Sequence, residues 1–75
     1  MAEEEEEDHR LETALRMLTK ARLVSMRVPG FAVGRWCDAW EVEAERRGLE
    51  PSAASWEAGI RWIVGRVAAG EQPPD

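Results

Sequence analysis

The chain has helical periodicity in three stretches and is cut sharply between them at Val28-Pro29-Gly30 and at Gly48-Leu49-Glu50-Pro51. Proline disfavours helix in the residue before it, and glycine after a periodic run stops one, so these cuts confine the chain to three helices. Strand signals are absent: no run alternates apolar and polar residues, and no hairpin dipeptide occurs. With 75 residues there is room for one domain. The expected fold is all-α, a small three-helix bundle over residues 10–70. Residues 1–9 are expected as an acidic disordered tail or frayed helix, and residues 71–75 as a short disordered tail.

Helix 1 is expected from about Asp8 to Met26. At about 100° per residue, Leu11, Ala14, Leu15, Leu18, Ala21 and Ser25 fall on one arc, which Met17 and Val24 extend. Arg16, Lys20 and Arg27 lie on the opposite face. Helix 2 is expected from Phe31 to Arg47, with Val33, Trp36, Cys37, Trp40 and Ala44 on its apolar face and Asp38, Glu41 and Glu45 opposite. Helix 3 starts at Ser52 or Ser55, either of which can cap it. It runs to about Ala69 with Trp56, Gly59, Ile60, Ile63 and Val67 as its stripe. The expected core is Leu11, Leu15, Leu18, Val33, Trp36, Trp40, Trp56, Ile60, Ile63 and Val67. Short connections make the helices antiparallel neighbours.

A chain this short buries only about 60% of its unfolded surface, so small domains often lean on a metal, a disulfide or a second copy. One cysteine, Cys37, excludes an intrachain disulfide, and the single His9 gives no metal-ligand spacing. Good packing or self-association remains. The net charge of −5 is a tail property: residues 1–8 carry six acids and no base, and the rest is near neutral. Nine arginines against one lysine, with no asparagine or tyrosine, reflect GC-rich codons, as in a high-GC bacterium or phage. The acidic opening is unlike a signal peptide, and no apolar run reaches the ~20 residues of a membrane span. A cytoplasmic protein without a membrane partner is expected.

No catalytic constellation emerges. A nucleophilic cysteine needs a base, and the only imidazole lies in the tail. Glu41 and Glu45 stand on a face without a cleft, and no glycine-rich phosphate loop occurs. No catalytic residue, metal, cofactor or small-molecule substrate is expected.

The residues singled out are candidates for binding. Trp62 stands apart from the stripe of helix 3, over the small residues Ala58, Gly59 and Ala69 and beside Arg66. It reads as a lid on the bundle edge or as an anchor, since tryptophan and arginine dominate interface energetics. Arg22 falls inside the apolar arc of helix 1, where a charge must reach solvent, pair with an acid such as Glu43, or face a partner. The basic stripe Arg16, Lys20 and Arg27 and the acidic stripe Asp38, Glu41 and Glu45 are expected to point to solvent. They would be available to pair between two copies, which gives specificity more than affinity.

The favoured reading is a non-catalytic protein-interaction module, a homodimer regulating or adapting another macromolecule. The alternative is a small DNA-binding protein using the basic face of helix 1. The helix-turn-helix version suffers from a connection longer than 3–4 residues, and the acidic run repels phosphates. A further alternative is an acidic inhibitor or antitoxin that mimics nucleic acid.

Overall fold

The computed structural model describes residues 2–74, with backbone alone for residues 2–9. Three helices form: α1 (Ala2–Ser25), α2 (Val33–Arg46) and α3 (Ala53–Ala68), with a 3₁₀ turn (Gly30–Ala32) leading into α2. Among the described residues there is no strand. Each helix packs against the other two, as a three-helix bundle does. Helix α1 takes in the acidic run from Ala2 onward. The side chains of residues 1–9 lie outside those described, and the tail expectation goes with them. Residues 71–74 have no regular structure but are placed against the bundle through an Arg66–Glu71 ion pair at 2.9 Å.

The helix ends follow local chemistry. Ser52 caps α3: its hydroxyl accepts from the Ser55 N–H at 3.1 Å, and the Ser52 N–H donates back to the Ser55 hydroxyl at 2.9 Å. The two serines expected as competing caps therefore act as one reciprocal box. All three helices end in the same wrapped turn. The N–H of Val28 donates to the Leu23 carbonyl, that of Leu49 to Ala44, and that of Glu71 to Arg66. This closure needs a left-handed residue one position earlier. Gly48 and Gly70 supply it at φ 72° and 81°; after α1 the residue is Arg27, at φ 70°.

The core is built mainly by α2 and α3. Trp36, Cys37 and Trp40 of α2 and Trp56, Ile60 and Ile63 of α3 are buried, as the stripes predict. The two helices approach closely at Gly59, where a Cβ would stand 2.5 Å from the Trp40 indole nitrogen. Val67 is half-buried at the edge.

Helix α1 departs from the expected orientation. Leu11 and Leu18, expected in the core, are 56% and 63% exposed. The residues that enter the core are Thr19 and Leu23, with Leu15 half-buried and Val28 and Ala32 following from the corner. The helix is thus turned by roughly a third of a turn from the arc that its alanines and leucines mark. Leu15, Thr19 and Leu23 recur every four residues and form a single ridge suited to packing against another helix. Leu23, Val28 and Ala32 converge because the tight turn at Arg27 joins them, and that convergence sets which side of α1 faces inward.

Candidate interaction surfaces

The rotation of α1 leaves a large apolar surface bare. Leu11, Met17, Leu18 and Val24 are each more than half exposed, and Ala14 and Ala21 between them are exposed as well. They cover the side of α1 facing away from α2 and α3. Beyond its end, Met26 and Phe31 are also exposed, Phe31 by 85%. Apolar residues scattered singly on a surface need no explanation, but a contiguous patch marks an interaction site. The sequence contained one signal of this arrangement: Leu23 has no place on the expected arc, so α1 carries apolar residues on two sides.

The same rotation brings the charge stripes together within one chain. Arg16 donates to Asp38 at 2.7 Å and to the Gly34 carbonyl at 3.3 Å, and it pairs with Glu41 at 3.0 Å. Partial burial opposes the charge of its guanidinium, but the hydrogen bonds to Asp38 and Glu41 outweigh that, and its pKa is raised. The expectation that both stripes point to solvent is therefore corrected for Arg16, while Asp38 stays exposed and Glu41 half-buried, both paired to it within the chain. The physical reason is that the basic face of α1 lies beside α2. Lys20 is half-buried on that flank, Arg27 is exposed at the left-handed turn, and Glu45 is exposed on α2.

Arg22 is half exposed and pairs with Glu57 of α3. The acid suggested for it, Glu43, is instead held by Arg46 and Arg47, each at 2.7 Å. Hydrogen bonds from Arg46 and then Arg47 hold the Glu43 carboxyl down to about 2.

Trp62 and Arg66 meet as predicted from their spacing. The guanidinium lies 4.3 Å from the centre of the Trp62 ring. Trp62 is half-buried and packs edge-on to Trp36 at 6.1 Å and tilted to Trp40 at 5.6 Å. Trp62 thus joins the tryptophan cluster and also carries Arg66, whose buried Nε has no hydrogen-bond partner. A shallow groove between α2 and α3 starts at this pair and continues past Val42 and Arg35 to Pro74.

The chain matches no family model, no curated protein and no solved structure. Its surfaces carry the functional argument alone. Cys37 is fully buried among the tryptophans, and burial pushes its thiol up, away from the thiolate that nucleophilic chemistry needs. Among the described residues no group of His, Cys, Asp or Glu is arranged to hold a metal ion, and no helix is long and apolar enough to cross a membrane.

Proposed function

We infer that this protein works by binding another polypeptide, through the outward face of α1, and not by chemistry. The observation that carries the reading is the contiguous exposed surface of Leu11, Ala14, Met17, Leu18, Ala21 and Val24 on a helix whose other side is already anchored by Leu23. Each large apolar side chain removed from water contributes about 1.5–3 kcal/mol when fully covered. A partner that covers this face therefore gains most of its binding energy from contacts that tolerate salt. The basic side of α1 supports nucleic-acid binding less well, because Arg16 is already neutralised by Asp38 and Glu41.

The test compares capture of partners by the wild-type chain, by Leu18→Glu, and by a chain with Lys20 and Arg27 changed to glutamate. Partners kept at high salt and lost with Leu18→Glu are the expected result. Partners indifferent to Leu18→Glu, lost with the charge reversals and weakened steeply by salt would replace this reading with a phosphate-backbone one.

A further inference from the structure

The bare face of α1 is complementary to itself. Leu11, Ala14, Leu18 and Ala21 are spaced alternately by three and four, as at the a and d positions of a coiled coil. Set a second copy antiparallel, with the two-fold axis level with residue 16. Leu11 then lies opposite Ala21 of the second copy, and Ala14 opposite Leu18, so each large side chain meets a small one. The same register places Met17 level with Leu15.

Charge follows the same symmetry. The run Glu3 to Asp8 carries six acids at one end of α1, and Arg22 and Arg27 stand at the other. In the antiparallel register Asp8 comes level with Val24 and Glu3–Glu7 with residues 25–29, the corner that holds Arg27, while Arg22, already paired with Glu57, comes level with Arg10. A parallel pair would instead align the two acidic runs.

The exposed area also fits. The chain exposes 5484 Å², whereas a compact monomer of its mass exposes about 4,700 Å². The excess of roughly 800 Å² equals what one partner gives to a standard interface. Helix α1 is long for so small a domain: at about 1.5 Å per residue its 24 residues span about 36 Å, against a longest molecular extent of 43 Å. Antiparallel pairing covers the bare face of α1 over residues 7–25.

We propose that α1 pairs antiparallel with α1 of a second copy, across Leu11, Ala14, Leu18 and Ala21, to form a two-fold homodimer. This rests on the reading of α1 as the binding face and names its occupant. The test is the molar mass of the full chain by sedimentation, across concentration and salt. The expected result is twice 8.5 kDa, falling toward the monomer on dilution. Leu18→Glu raises the dissociation constant by roughly a hundredfold, since symmetry places the change in the seam twice, and leaves helix content intact. Added sodium chloride up to physiological strength weakens the dimer by screening unlike charges.

A dimer that tightens with salt, or in which Leu11→Cys cross-links to itself, is parallel and overturns the proposal. A dimer indifferent to both Leu18→Glu and Ala21→Glu uses another surface and also overturns it. A monomer at every concentration removes the second copy as occupant but leaves the interaction reading to the capture experiment. Loss of helix content in both glutamate variants would mean that the face is core, and would end both readings.

Discussion

The α2–α3 half and α1 have apolar residues in similar supply and use them differently. In the first half nearly every predicted apolar position is buried, and the contact is close enough at Gly59 that a methyl group cannot enter. On α1 the ridge of Leu15, Thr19 and Leu23 faces inward, and the broader apolar side stays in water. An amphipathic pattern thus identifies faces that avoid water without saying which of them the chain itself will cover.

The largest expected effect lies in the first half. Trp40→Ala removes a ring that contacts Trp62 and closes on Gly59, and costs about 3–5 kcal/mol. For a domain of this size that is enough to unfold most of the population, seen as lost ellipticity and a collapsed urea midpoint.

The sharpest test of the contrast uses one residue type on one helix. Leu23→Ala costs about 2–5 kcal/mol, whereas Leu18→Ala falls within about 0.5 kcal/mol. Both are measured by urea denaturation of dilute protein, where association does not add to stability. Equal costs would mean that α1 has no bare face.

Gly59→Ala comes next. Its methyl group collides with the buried Trp40 indole and costs about 1–3 kcal/mol. A neutral result would show that α2 and α3 are less closely packed than the structure has them.

The smaller effects concern helix ends. Arg27→Gly relieves a left-handed residue and raises stability by about 0.5–1 kcal/mol, read as a higher midpoint of thermal unfolding. The Glu43 clamp supplies the pH test. Its carboxyl is depressed in the folded chain, so it stabilises fully above the ordinary carboxylate range and loses that contribution as pH falls to about 2. Glu43→Gln should flatten the acid limb of the stability profile over that window and leave neutral pH least changed in shape.

Much of the bundle was legible from the chain. Pro29-Gly30 and Gly48 punctuate it, Ser52 caps α3, and the stripes on α2 and α3 identify their buried faces because each helix has one such face. The pairing of Trp62 with Arg66 also followed from spacing, as residues four apart on a helix are neighbours. The partners of Arg22 and Arg16 did not, because Glu57, Asp38 and Glu41 reach them across helices whose rotation the local pattern leaves open.

The sequence by itself determined three helices, where each of them stops, and the apolar faces of α2 and α3, since hydrogen bonding, capping and periodicity act over a few residues. Only the tertiary structure decided the rotation of α1, and with it the bare surface and the paired charge stripes. That choice depends on which ridge nests against two other helices while Leu23, Val28 and Ala32 converge at one corner, a competition between long-range contacts that no local pattern records.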